Sequence, residues 1–197
     1  MATAIKTNSS QGQGTRNQIL QTALELFSTR GYFNTSVQDI RRAANVSIGS
    51  IYHYFQNKEA IAKALYNDQV EELGEAIGTL LSDHQTTYDG CRAVVAHLFE
   101  MAETAPKAMQ YILYAQHREF MPGENPICSS RPFALLLQAV EKGMAAGEIR
   151  RLDPAVATAN LFGGAMRLIQ LKLDGVLQKD LAAYLDDNWQ CAWRAVT

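Results

Sequence analysis

Cysteine and proline are scarce in this chain and long apolar runs are missing, and each shortage removes a class of protein. The three cysteines, Cys91, Cys128 and Cys191, are odd in number, far apart and without CxxC or Cys/His spacing. That excludes a disulfide framework and offers no zinc ligand set, so they read as reduced thiols. Five prolines and 13 glycines in 197 residues are too few for a collagen-like or low-complexity chain. Uninterrupted apolar stretches are only a few residues long, as at 134–137, against the ~20 that span a bilayer. The N-terminal segment MATAIKTNSSQGQGTR has no apolar signal core. The expectation is a cytoplasmic protein that makes no membrane contact.

Catalytic frames are missing as well. His53, His84, His97 and His117 form no HExxH, and there is no GxSxG, GxGxxG or GxxxxGK[ST]. His117, Arg118 and Glu119 are consecutive, and consecutive residues on a helix point in different directions. The expectation is no catalysis, no metal and no cofactor.

What is present is an ordinary globular composition, 47% hydrophobic, 19% charged and 9% aromatic. The length fits one core, or a core with a small accessory head. The net charge of -2 conceals an asymmetry. Residues 1–60 carry six basic side chains (Lys6, Arg16, Arg30, Arg41, Arg42, Lys58) against three acidic ones, and the remainder carries twelve basic against seventeen acidic. A basic head on an acidic body raises the weight of a polyanionic partner for the head.

Residues 1–14, rich in Ser, Thr, Asn, Gln and Gly, read as a disordered arm. From Thr15, apolar residues at Ile19, Leu20, Ala23, Leu24 and Phe27 recur at helical spacing, Thr15 with Gln18 matches a capping box, and Gly31 suits the position after the helix. Ser36 with Asp39 resembles a second capping box, opening a short helix through Ile40 to about Ala44. Asn45 enters a left-handed conformation cheaply, and Ser47 can cap a third helix through Ile48, Ile51 and Tyr52. Two short helices joined by a tight turn make a helix-turn-helix. Asn57 is the expected cap of a fourth helix to about Leu81. Five more helices are expected, at roughly 87–102, 106–120, 132–146, 154–173 and 179–196, with Asp153-Pro154 as a cap followed by an N1 proline. The segment 121–130 reads as the clearest long loop.

The third helix exposes Ser47, Gly49, Ser50, Tyr52, His53 and Tyr54, with Lys58 beyond. Small residues let the backbone approach a base edge, and hydroxyls suit phosphate oxygens. The rival reading is a packed helical bundle with core tyrosines. The segment from Gly31 to Ala60, including TSVQDI, AANVSIGSIYHYF and QNKEA, together with ALELF at 23–27, closely resembles the DNA-binding signature of the tetracycline-repressor (TetR) family over about 15–65. The resemblance implies Gln38 at a base and Thr35 or Ser36 at a phosphate. It places Ser47, Gly49, Ser50 and His53 near bases and Tyr52, Tyr54 and Lys58 on phosphates. The chain departs from the family's usual Leu-Ala or Ile-Ala at Ile40-Arg41-Arg42, where Arg41 or Arg42 either adds a phosphate contact or decorates the outer face. Gln38 can pair bidentately with adenine, and serine with either base type.

In the body, Leu161, Gly163, Gly164 and Met166 put small residues in mid-helix, where glycine costs ~1 kcal/mol against alanine, and Leu181, Leu185, Trp189 and Trp193 form a stripe at spacing four. These residues are expected at an isologous dimer interface, with an internal core as the rival reading. The resemblance also implies an effector pocket in the middle helices. Candidate lining residues are His97, Phe99, Met101, Met109, Tyr111, Tyr114, His117 and Phe120, apolar and aromatic with polar tips; each is also a plausible core residue.

The reading is therefore all-α, with a three-helix helix-turn-helix head (15–60) on a helical body (61–197), about nine helices in all. The resemblance implies a homodimeric, sequence-specific regulator of transcription that binds double-stranded DNA and is released from a palindromic operator by a small-molecule effector. The alternative is a helical ligand-binding or interaction dimer without specific DNA recognition.

Overall fold

The computed structural model describes residues 7–114 and 130–197, with side chains from residue 14 onward. His117, Phe120, Cys128 and the loop expected at 121–130, Ser130 excepted, lie outside the described residues. Among the described residues every regular element is helical: α1 (Thr7–Arg30), α2 (Val37–Ala43), α3 (Ile48–Tyr54), α4 (Lys58–Asp83), α5 (Thr87–Thr104), α6 (Pro106–Tyr114), α7 (Arg131–Ala146), α8 (Pro154–Leu173), a 3-10 turn (Leu181–Tyr184) and α9 (Leu185–Arg194). None of these helices is long and apolar enough to cross a membrane.

Two expectations at the chain's ends are corrected. The first helix starts at Thr7, within the segment read as a disordered arm. Extending an established helix adds one hydrogen bond per residue fixed, and no proline interrupts 7–14. The proposed cap pair is used otherwise, since Gln18 Nε2 donates 2.8 Å to the carbonyl of Ala44. The last helix opens as a 3-10 turn before α9, and Leu181 N–H donates to Glu103 Oε1 at 2.9 Å.

Contacts divide the chain into two units, and the first runs to Gln69 and resumes at Gln110. The boundary thus falls inside α4, past the residue 60 expected from sequence, because the start of α4 belongs to the head's core. That core joins Ile19, Ala23, Leu26 and Phe27 of α1 to Ile40 of α2, Ile51 of α3, Phe55, and Ile61 and Leu65 of α4, all buried. Tyr111 of α6 completes it. Its ring stacks on Phe27 at 6.3 Å, and its hydroxyl, unable to reach water, donates to the carbonyl of Ala62 at 3.1 Å.

The second unit, Val70–Met109 with the chain from Asn125, packs α8 against α5, α7 and α9. Capping follows the sequence: Asp153 Oδ1 accepts from Ala155 N–H at 2.9 Å ahead of Pro154. The N-terminus of α5 is held from afar, with the Glu148 carboxylate accepting from Thr87 N–H at 2.8 Å and Thr87 Oγ1 at 3.0 Å. Gly143 fits against this cap: a Cβ there would lie 2.8 Å from Thr87 Cγ2 and 2.9 Å from Ile149 Cδ1.

Three residues expected at a dimer interface belong to this unit's own core. Leu161 and Leu181 are fully buried and Trp189 nearly so, with Trp189 edge-on to Tyr88 at 5.5 Å and tilted against Trp193 at 5.7 Å. An amphipathic stripe records that a face is covered without recording by what. Gly164 is also used internally, since a Cβ there would meet Asn188 Oδ1 at 2.7 Å. Gly163 is exposed, and among the described residues nothing outside its own helix backbone lies within 4 Å of the position a Cβ would take.

Candidate nucleic-acid interface

The head's two short helices are set by local hydrogen bonds. Ser36 caps α2, its N–H donating to Asp39 Oδ2 at 2.9 Å and its Oγ accepting from Asp39 N–H at 3.1 Å. The Ser36 hydroxyl, which also donates to Asp39 Oδ2, and then the Ser36 N–H hold the Asp39 carboxyl below the usual range, with Arg42 as a smaller contributor. Between α2 and α3, Asn45 adopts the left-handed φ of 51°, which asparagine tolerates better than most residues. Ser47 then caps α3, accepting from Ser50 N–H at 2.9 Å, and the two hydroxyls are 2.8 Å apart.

With Ile51 buried on its inner face, the seven-residue α3 leaves Gly49, Tyr52 and His53 exposed after an exposed Ser47. Ser50 and Tyr54 are half-buried. Tyr52 is 55% exposed, a large share for an aromatic ring whose only structural role would be packing. His53 and Tyr54 stand edge to face at 4.7 Å. Among the described residues a Cβ on Gly49 would meet only Ser47 Oγ, at 3.7 Å, so none of these neighbours requires glycine there. Gln38 is exposed on α2, beside a half-buried Arg41. Ser47, Gly49, Ser50, Tyr52, His53 and Gln38 thus all lie at the head's surface.

Two residues of the expected set are used internally. Thr35 is buried, and its hydroxyl donates to the carbonyl of Gly31 at 2.9 Å, which removes that side chain from the phosphate-contact pair and leaves the exposed Ser36. Lys58 Nζ donates to the carbonyls of Tyr32 and Thr35, both at 2.9 Å. Its partial burial pulls the amine's pKa down, against a smaller upward pull from Glu59.

Sequence reasoning missed several participants. Phe33, 65% exposed in the α1–α2 connection, extends the aromatic surface, and its only sequence signal was its place two residues after Gly31. Arg16 counted toward the head's positive charge, yet it forms a two-pronged pair with Asp68, at 2.7 and 3.2 Å. Arg42 is likewise committed to Asp39 Oδ1 at 3.1 Å. The head's usable positive charge is therefore smaller than the composition implies.

The residues expected to line an effector pocket are spread over both units, and His117 and Phe120 lie outside the described residues. Tyr111 is in the head core, Met109 is buried, His97 and Met101 are half-buried on α5, and Tyr114 is exposed. Among the described residues the second unit has two hollows, one of which is lined by the candidate Phe99. One of about 240 Å³ involves His84, Gln138 and Lys142, and another of about 390 Å³ involves Phe99, Glu103 and Leu185.

A family model, that of bacterial regulatory proteins of the tetR family, matches residues 19–65. The chain is similar to the HTH-type transcriptional regulator AcrR of Shigella flexneri, 28% identical over 138 residues that cover 67% of this chain and 62% of that protein. It is similar along most of its length to the HTH-type transcriptional regulator TtgR of Pseudomonas putida, 27% identical over 92% of this chain and 93% of the relative. The fold is shared with the crystal structure of the transcriptional regulator FadR from Bacillus subtilis in complex with stearoyl-CoA, with a TM-score of 0.79 at 23% identity over 92% of this chain and 99% of that one.

Proposed function

Because the chain belongs to the TetR family of DNA-binding helix-turn-helix regulators, we propose that it is a homodimeric, cytoplasmic repressor of transcription, not an enzyme, released from a palindromic operator by a small-molecule effector. The observation that carries the reading is the outer face of α3, where Gly49 leaves room for close backbone approach and Ser47, Tyr52 and His53 stand exposed. Small and hydrogen-bonding groups there can meet base edges while Tyr52, Tyr54 and Ser36 meet phosphates. One such module makes few contacts, so a dimer spanning two half-sites supplies the affinity. Support for a second copy comes from α8. Gly163 sits exposed in mid-helix at a cost of ~1 kcal/mol, with no neighbour among the described residues to require it. Close approach of a second α8, flanked by the half-buried Met166, Leu185 and Trp193, accounts for it.

The test is selection of random duplex DNA by the purified full chain, followed by salt titration of the winners against scrambled DNA. The expected result is a palindrome preferred by ~10³ or more. Binding that falls steeply with salt but ignores sequence overturns operator recognition and leaves a dimer with a nonspecific head. Stearoyl-CoA, which FadR holds in its crystal structure, is the first probe for effector release from the selected operator.

A further inference from the structure

Gln38 and Arg41 lie one turn apart on α2, and Arg41 Nε donates to Gln38 Oε1 at 3.0 Å. Arginine carries donors and no acceptor, so this contact decides which end of the glutamine amide faces it. The oxygen turns toward Arg41 and the two Nε2 hydrogens turn away. Among the described residues, neither Nε2 of Gln38 nor the terminal nitrogens of Arg41 have another partner. Arg42, by contrast, is folded back on its own helix, with Nε 3.3 Å from the Gln38 carbonyl and a terminal nitrogen on Asp39.

The Gln38–Arg41 pair consequently presents donors outward. In the major groove guanine shows two neighbouring acceptors, O6 and N7, whereas adenine shows one acceptor beside the N6 donor, which calls for a free amide oxygen. With its oxygen held by a guanidinium, Gln38 is poorly placed to accept from N6, and the adjacent positive charge further disfavours that donor. We propose that Arg41 is a specificity-determining residue: by holding Gln38 Oε1 it turns the start of α2 into a reader of guanine in place of adenine. The inference rests on the operator-binding reading above and adds to it the base class at one position of each half-site.

The test is the same selection of random duplexes run in parallel with the wild-type chain, Arg41→Leu, Arg41→Lys and Gln38→Ala, each checked by thermal unfolding; Arg41→Ala replaces the leucine variant should that one not fold. The position read by this pair is the one whose preference Gln38→Ala erases. There the wild type is expected to favour guanine over adenine about fivefold or more, the lower end of what one good bidentate contact discriminates, and Arg41→Leu is expected to shift the preference to adenine. Arg41→Lys, which keeps the charge without the planar fork, is expected to weaken the guanine preference. Adenine at that position in the wild type overturns the proposal. So does an Arg41→Leu chain that loses affinity evenly over all sequences with an unchanged base profile and is rescued by lysine, the signature of a phosphate contact. If no sequence is enriched by the wild type, operator recognition itself fails and this inference fails with it; an enriched operator with the wrong base overturns the inference alone.

Discussion

The Lys58 ammonium stands 4.0 Å from the centroid of the Tyr32 ring while donating to the Tyr32 carbonyl at 2.9 Å. With its second bond to the Thr35 carbonyl, the lysine closes the connection between α1 and α2 onto the first turn of α4. The Thr35 carbonyl is thereby satisfied, and the Tyr32 carbonyl, which already accepts from Thr35 N–H at 3.2 Å, gains a second donor. The same bonds seat Thr35, and hence the Ser36 cap that starts α2.

Replacing Lys58 with alanine removes two charge-assisted hydrogen bonds, each worth about 1.5–3 kcal/mol at most, and leaves carbonyls that water reaches in part. Urea unfolding of the full chain is expected to show a loss of about 1–3 kcal/mol. An unchanged midpoint would mean that the clamp contributes nothing. One N–H of the ammonium remains for a phosphate. A fall of about one in the salt slope of DNA binding, measured where the variant is fully folded, is the expected sign of that contact.

Gly49→Ala separates folding from function. Among the described residues the added methyl meets only Ser47 Oγ at 3.7 Å, and the change removes a glycine from a helix, so stability is expected to rise by up to ~1 kcal/mol. Operator affinity is expected to fall, because the methyl occupies space that the backbone needs against a base edge. Thermal unfolding and operator titration on one preparation read both effects, and unchanged affinity would show that α3 makes no close approach at this residue.

At Gly163 an arginine would project into open space within one chain. The monomer's fold is therefore expected to survive Gly163→Arg, as read by helical circular dichroism, while analytical ultracentrifugation shows dissociation. A variant that sediments as a dimer at the wild-type concentration dependence would place the two-fold contact elsewhere than α8.

Cys91 and Cys191 are expected to differ sharply in reactivity. Burial, with a smaller contribution from Glu148, pushes the Cys91 thiol up to about 12, whereas Cys191 is exposed on α9. In a Cys128→Ser background at pH 8, mass spectrometry after brief alkylation is expected to show label on Cys191 and none on Cys91 until the chain unfolds. The sign of the linkage follows from the raised value. Below about pH 9 both folded and unfolded chains keep this proton, and between about 9 and 12 the unfolded chain releases it first. Stability from this group is therefore lost as pH rises through that window. Equal labelling of both cysteines in the native protein would contradict the burial.

Elements whose causes lie within four residues are legible in the amino-acid order alone. The Ser36–Asp39 box, the Ser47 cap and the Asp153–Pro154 start depend on side chains bonding to the nearby backbone, the left-handed Asn45 on its own backbone preference, and the outward set on α3 on helical spacing about Ile51. Such interactions are written in local order and need no partner from elsewhere.

Contacts between distant residues were settled by packing alone. Arg16 finds Asp68 across 52 residues, Lys58 reaches back 26 to Tyr32, and Glu148 caps a helix that begins 61 residues earlier. Each of these gives a charged side chain that composition only counts a specific partner far away in the sequence. The stripe from Leu181 to Trp193 shows the same limit from the apolar side. Helical spacing declares that one face of α9 leaves water, but burial against the same chain and burial against a second copy remove the same surface from solvent. Only the three-dimensional arrangement, with Trp189 against Tyr88 and Gly163 open to solvent, distinguishes the covered positions from the available ones.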